Sequence, residues 1–222
     1  MSAILECAAP RSPEVEAFAT DLACALAASP KRLSPKYFYD EAGSRLFEEI
    51  TRLAAYYPTR AEMEILSTHG RDMAAHLPQG AALVEFGSGS SAKIRLLLDA
   101  IETLSAYVPV DISGTFLAHQ AKALAADHPD LQILPVVADF THPFALPVAV
   151  RERPRAGLFP GSTIGNFEPK DARAFLADAR RTLGPGAVML VGVDLVKDKA
   201  MLEAAYDDPE GVTARFNLNV LA

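Results

Sequence analysis

The chain has 222 residues, half of them hydrophobic and 22% charged, with a formal net charge of −7. This is a globular composition, enough for one large domain or a domain with an appendage. It disfavours a nucleic-acid partner, whose phosphates require a clustered basic face, and no apolar run reaches the roughly 18 residues of a membrane-spanning helix.

Met1 to Glu6 lack the basic flank and apolar core of a signal peptide. Cys7 and Cys24 are the only cysteines, too few for a disulfide framework or a zinc site. Reduced thiols in a cytoplasmic protein are expected. Residues 1–60 hold no strand signal. Ser12-Pro13-Glu14-Val15-Glu16 reads as a helix start, with proline early and acids in the first turn. This helix runs through an alanine-rich stretch to about Ala28, and Ser29-Pro30 ends it. A second helical stretch covers Gly43 to Leu53. Four of the six tyrosines fall between residues 37 and 57. They read either as one aromatic patch docking this segment on the core or as a lid with phenol hydroxyls turned into a cleft. A helix from Arg60 reaches His76 and breaks at Pro78-Gln79-Gly80.

Strand and helix then alternate. The strands read as Ala81–Phe86, Ala106–Asp111, Leu131–Ala138, Ala156–Phe159 and Ala187–Val193. The last is almost wholly apolar, the pattern of a strand buried on both faces. Helices follow the first strand, with Ile94, Leu97, Leu98 and Ile101 on one face, and the second, from about Gly114 to Ala126. A further helix opens at Glu168-Pro169 and should bury Phe175, Leu176, Ala179 and Leu183. The expected fold class is α/β: a Rossmann-like parallel sheet with helices on both faces, preceded by an N-terminal helical segment. The boundaries are 1–60 for that helical or lid segment, 61–195 for the Rossmann-like domain, and 196–222 for the segment after it.

In such sheets ligands sit beyond the carboxyl ends of the strands. Those ends offer Glu85 with Gly87-Ser88-Gly89, then Asp111, Asp139-Phe140, Asn166 and Asp194. The glycines allow a tight turn and close approach to a ligand, and Ser90 and Ser91 can cap the following helix. Ala92 follows where the dinucleotide fingerprint has its third glycine, which argues against NAD. Asp111 lies about 20 residues beyond the turn, where an acid accepts from the hydroxyls of an adenosine ribose. Asp139 can accept from an adenine amine while Phe140 stacks on the ring. An acid-lined site without a phosphate cradle suits S-adenosylmethionine, whose sulfonium is a cation. The five histidines, His69, His76, His119, His128 and His142, read as surface residues away from the strand ends, with no metal-site spacing.

Several runs carry a resemblance. They are Tyr37-Phe38-Tyr39-Asp40, Tyr56-Tyr57-Pro58-Thr59-Arg60, Val84 to Ser91, Phe159 to Phe167, and Gly192 to Asp198. The tail from Ala205-Tyr206-Asp207-Asp208 to Leu221 adds to them. Together they resemble the histidine-specific, S-adenosylmethionine-dependent methyltransferases of ergothioneine biosynthesis. The resemblance implies a class I methyltransferase sheet, with 1–60 and 196–222 as parts of a second, substrate-binding domain. It implies methylation of the α-amine of L-histidine, three times over, to the trimethyl betaine hercynine. It places Gly87, Lys93, Asp111, Asp139 and Phe140 at cofactor-binding positions, joined by Ser88 and Gly89 from the turn itself. Tyr56, Asn166 and Tyr206 fall at histidine-binding positions, and Tyr39 near the reacting amine as the catalytic candidate. Phe47, Gly161 and Thr213 line the pocket. A small-molecule substrate is expected, with no nucleic acid, membrane or metal.

The family's chain continues past the position of Ala222 with residues that grip the imidazole. On that ground the chain reads as C-terminally truncated, with a complementing C-terminal chain as a possible partner. Two alternatives stay open. One is a cofactor-binding fragment that is silent or needs a partner chain. The other is a methyltransferase of another small amine or amino acid.

Overall fold

The computed structural model describes residues 13–89 and 91–221. Ser12, Cys7 and the capping role read for Ser90 lie outside them. The chain divides into two units, Met1–Tyr37 and Phe38–Ala222. In the first, α1 (Pro13–Ala27) is the main element. Tyr37 packs its ring on Phe18 at 4.9 Å and donates its hydroxyl to Asp21. Tyr37 belongs to this unit, and Tyr39, Tyr56 and Tyr57 to the second.

The second unit opens with α2 (Glu41–Ile50), capped by Asp40, whose carboxylate accepts from the Gly43 amide at 2.7 Å. Next comes α3 (Tyr57–Ala74), with Pro58 in its first turn. The α/β alternation follows: β1 (Ala82–Phe86), α4 (Ser91–Ala100), β2 (Ala106–Asp111), α5 (Gly114–Asp127), β3 (Gln132–Ile133), β4 (Val136–Val137), β5 (Arg155–Phe159), α6 (Pro169–Leu183) and β6 (Val188–Val191). Two short helices, α7 (Lys199–Tyr206) and α8 (Val212–Asn219), complete it. No described helix is long and apolar enough to cross a membrane.

The strands are all parallel, in the order β3-β2-β1-β5-β6, with β4 also on β2. Alternate residues of β1 feed two cores. Ala82, Val84 and Phe86 join Phe159, Phe175, Ala179 and Leu183 on the α6 face. Leu83 joins Leu66, Ile94, Leu97, Tyr107 and Leu124 on the face covered by α3, α4 and α5. Burial on both sides is what a central parallel strand requires.

Two expectations are corrected. The strand read over Leu131–Ala138 is two short pieces. The carbonyls of Tyr107 and Asp111 accept from Leu134 and Ala138 across this ladder. Pro109, between them on the same side of β2, has no N–H to give, so the ladder lapses there. Leu176 is exposed rather than buried, because α6 turns only Phe175, Ala179 and Leu183 to the sheet. The apolar residues of β6 are half-buried, because among the described residues this strand lies at the edge of the sheet and pairs with β5.

Candidate active site

Beyond Phe86 the chain enters the glycine turn. Gly87 has φ of 76°, a left-handed conformation that favours glycine. The amides of Gly87 and Ser88 both donate to the Val110 carbonyl at 2.9 Å, which ties the turn to β2. A Cβ at Gly87 would stand 3.0 Å from Phe140, while one at Gly89 would meet nothing within 4 Å. One side of the turn is thus packed by an aromatic ring and the other is open. The Phe140 ring also meets Phe159 and Phe175 edge-on. Beneath the turn, Tyr107 donates to Glu85, and the Ser88 hydroxyl lies 3.1 Å from the Tyr107 oxygen. Burial pushes the Glu85 carboxyl up to about 7, against the Tyr107 hydrogen bond and the Lys93 charge.

At the end of β2, Asp111 accepts from the Ser113 amide at 2.9 Å. Burial raises its pKa to about 6, partly offset by the amides of Ser113 and Ile112. Past β4, Asp139 accepts from the Thr141 amide at 3.0 Å. His142 stands 3.3 Å from the same carboxylate, so this histidine is not away from the strand ends as expected: the turn after β4 folds it back.

The loop after β5 starts at Gly161, whose φ is also 76°, and passes Ser162 into a short 3-10 turn (Thr163–Asn166) that leaves Asn166 exposed. Its geometry is set from a distance. The Gly161 amide donates to Glu62 of α3 at 2.7 Å, and the other Glu62 oxygen takes the Lys93 ammonium at 2.7 Å. The Asp194 amide, just past β6, donates to the Ser162 hydroxyl at 2.9 Å. Asp194 in turn accepts from the Tyr57 hydroxyl and from Lys197. Despite partial desolvation, these partners hold its carboxyl below the ordinary range.

Against these strand ends stands an aromatic cluster built from α2, α7 and α8. Tyr39 meets Phe47 at 5.4 Å and Phe216 at 5.3 Å, and Phe47 meets Tyr56 at 6.1 Å. Tyr206 crosses Tyr56 edge-on at 5.8 Å, half of it exposed. Burial pushes the Tyr39 phenol up to about 12, helped by the charge of Asp111 and by Tyr206. Burial raises Tyr56 still further, with Tyr206, Tyr39 and Glu62 adding to it. Both phenols remain protonated at neutral pH and act as hydrogen-bonding groups rather than bases. Thr213 is buried at the start of α8, and its amide donates to Asp208 at 2.7 Å.

The site residues named from the sequence therefore divide by place. Gly87, Ser88, Gly89, Asp111, Asp139 and Phe140 follow the ends of β1, β2 and β4, and Lys93 of α4 reaches Glu62. Tyr39, Phe47, Tyr56 and Tyr206 form one connected set of rings. Gly161 and Asn166 lie in the loop after β5, and Thr213 near the start of α8. Sequence reasoning missed Glu62, Tyr57, Ser162 and Lys197. The partners of Glu62, Tyr57 and Ser162 lie far along the chain, so nothing local marks these three; Lys197 pairs with Asp194 only three residues away.

The match to the family described as histidine-specific methyltransferase, SAM-dependent, covers residues 18–222. The histidine N-alpha-methyltransferase of Mycolicibacterium smegmatis is 46% identical over 212 residues, which is 93% of this chain and 64% of the relative. That of Mycobacterium tuberculosis is 44% identical over 209 residues, 91% and 63% of the two chains. This chain thus spans somewhat less than two thirds of those relatives. A crystal structure from Methanococcus maripaludis, described as an S-adenosyl-L-methionine-dependent methyltransferase, superimposes with a TM-score of 0.51 at 16% identity. It covers 82% of this chain and 83% of its own, a likeness of fold alone. With the family match spanning all but the first residues, the chain belongs to the histidine-specific, S-adenosylmethionine-dependent methyltransferase family.

Proposed function

We propose that the protein binds S-adenosyl-L-methionine at the ends of β1, β2 and β4 and methylates the α-amine of L-histidine, up to the trimethyl betaine. Residues 38–60 with 196–221 then serve as the substrate domain and 61–195 as the cofactor domain. The observation that carries this reading is the family match over residues 18–222. Beside it, the strand-end acids Asp111 and Asp139 and the rings of Tyr39, Phe47, Tyr56 and Tyr206 belong to one unit of the fold.

The residues at the strand ends suit this cofactor. The open side of the turn at Gly89 leaves room for a ligand, and Glu85, Asp111 and Asp139 make a predominantly acidic surround. When bound, the cofactor supplies a methyl group already activated on a cationic sulfur. The protein then has to align a neutral amine with it and exclude competing geometries. Asp111, ionised above about pH 6, accepts from ribose hydroxyls. Asp139 accepts from the adenine amine, with the Phe140 ring beside it. The protonated Tyr39 phenol keeps its oxygen free to accept from the substrate N–H and orient the nitrogen lone pair. Asn166 and Tyr206 donate to the substrate carboxylate. As methyl groups accumulate, the amine becomes a fixed cation, which the faces of Tyr39, Phe47 and Tyr56 accommodate.

The test is calorimetry with S-adenosylhomocysteine, followed by mass spectrometry of histidine incubated with protein and S-adenosylmethionine. Saturable binding and the stepwise appearance of mono-, di- and trimethylhistidine are expected. Absence of binding would overturn the reading. Binding with methylation of another amine in place of histidine would overturn its substrate half.

A further inference from the structure

The ends of β1 and β5 are neighbours in the sheet, and the chain leaves them in opposite directions, β1 towards β2 and β5 towards β6. This is the topological switch point, where ligands of such sheets sit. A single side chain from outside the sheet spans it. Glu62 of α3 takes the Gly161 amide on one carboxylate oxygen and the Lys93 ammonium on the other, both at 2.7 Å. The Lys93 and Glu62 side chains are only 18% and 16% exposed. Charge-assisted bonds in such a setting are short, strong and directional, and losing one partner strands the other charge. A third strand end closes over the same carboxylate. A Cβ on Gly192, just past β6, would fall inside van der Waals contact of Glu62 Oε1. Glu62 is also among the charges acting on Tyr56, the residue that opens its own helix.

We propose that Glu62 is the positioning residue that sets the cofactor side of the site against the amino-acid side. Resting on the methyl-transfer reading above, it assigns Glu62 no contact with either ligand. The carboxylate acts through Lys93, in the helix after the glycine turn, and through Gly161, which starts the loop carrying Asn166. A ligand that fixes Lys93 fixes Glu62, and with it the Gly161 turn and the α3 end bearing Tyr56. Occupancy of one side therefore favours occupancy of the other.

The experiment measures affinity for S-adenosylhomocysteine and for L-histidine, each alone and each with the other saturating. Linkage requires the same factor in both directions. In the unaltered protein each ligand should tighten the other by at least about fivefold, the lower end of common coupling energies. In Glu62→Gln the side-chain oxygen still accepts from Gly161 but no longer attracts Lys93, and the factor should fall to about one while S-adenosylhomocysteine alone still binds. Gly192→Ala keeps both charges but presses on the carboxylate and, at 3.3 Å, on the Gly161 amide it accepts from, and should lower the factor as well. It carries the test if Glu62→Gln does not fold. Amide exchange over 161–166 gives a readout that needs no histidine. S-adenosylhomocysteine should slow it in the unaltered protein and not in the variants. A coupling factor of one in the unaltered protein, or one left unchanged in a folded variant, overturns the proposal. Failure of S-adenosylhomocysteine to bind the unaltered protein overturns instead the reading on which it rests.

Discussion

The two halves of the site are held together by different means. On the side proposed for the cofactor the backbone does the holding. β1 is buried along its whole length, its turn is tied to β2 by two amides, and Asp111 and Asp139 accept from the amides of their own loops. On the side proposed for the amino acid the rings do it. Tyr39, Phe47, Tyr56, Tyr206 and Phe216 meet at 5 to 6 Å, mostly edge to face, with few backbone ties between α2, α7 and α8. A ladder gives one geometry. A ring cluster can re-pack, which suits the proposed substrate, a ligand that would grow by a methyl group at each step.

The comparison can be broken most severely in the sheet. Phe175 lies 4.4 Å from Phe159 and edge-on to Phe86, with only 3% exposure. Phe175→Ala should cost about 3–5 kcal/mol, read as a lowered urea midpoint, and should loosen Phe140 with it. Phe216→Ala in the ring cluster should cost less and leave S-adenosylhomocysteine binding intact. Equal losses from the two would erase the distinction.

A finer cut separates the ligands. Asp111→Ala should weaken S-adenosylhomocysteine by about 1–3 kcal/mol, the range for hydrogen bonds to a charged group. The same affinity should decline as pH falls through about 6, where the raised Asp111 carboxyl takes up its proton. Calorimetry between pH 5 and 8 tests both. An affinity flat across that window would remove Asp111 from the contact.

Glu85 offers a stability effect with a defined sign. Its pKa is raised in the folded state, to about 7 from 4.5, so the folded protein binds the proton more tightly than the unfolded chain. Stability therefore falls as pH rises from about 4.5 to 7 and is level above. Glu85→Gln should be more stable than the parent at pH 8, by on the order of 2 kcal/mol, with the gap closing towards pH 5. Urea unfolding at the two pH values measures it. Smallest of all, Tyr39→Phe should leave cofactor affinity unchanged and slow methyl transfer by about fivefold, the worth of one ordinary hydrogen bond. An equal loss in cofactor affinity would move Tyr39 to the other half of the site.

What the sequence displayed divides along the same line. The strands β1, β2 and β5, the α4 face and the Phe175, Ala179 and Leu183 side of α6 were legible because burial imposes a period, and the places of Gly87, Asp111 and Asp139 because each follows a legible strand end. The gap at Pro109 was also visible in principle, but only a known register tells which side of β2 lacks its donor. Tyr37 and Tyr39 are two residues apart and belong to different units, which composition cannot separate. Glu62 and the Tyr57–Asp194 bond were illegible for a simpler reason. Each depends on chain segments brought together only by the sheet order.

The Gly87–Phe140 contact has a consequence for how this protein can vary. Position 87 is constrained twice, by a left-handed backbone and by a ring 3.0 Å from where a Cβ would stand. In a saturation library read out by S-adenosylhomocysteine capture, every replacement of Gly87 should be depleted. Shrinking the ring in the same clone, as Phe140→Leu, should recover some of the loss for Gly87→Ala or Gly87→Asn and almost none for Gly87→Val. Only asparagine of the three tolerates the backbone, so a drift away from glycine has one narrow exit, and it opens only after position 140 has changed first.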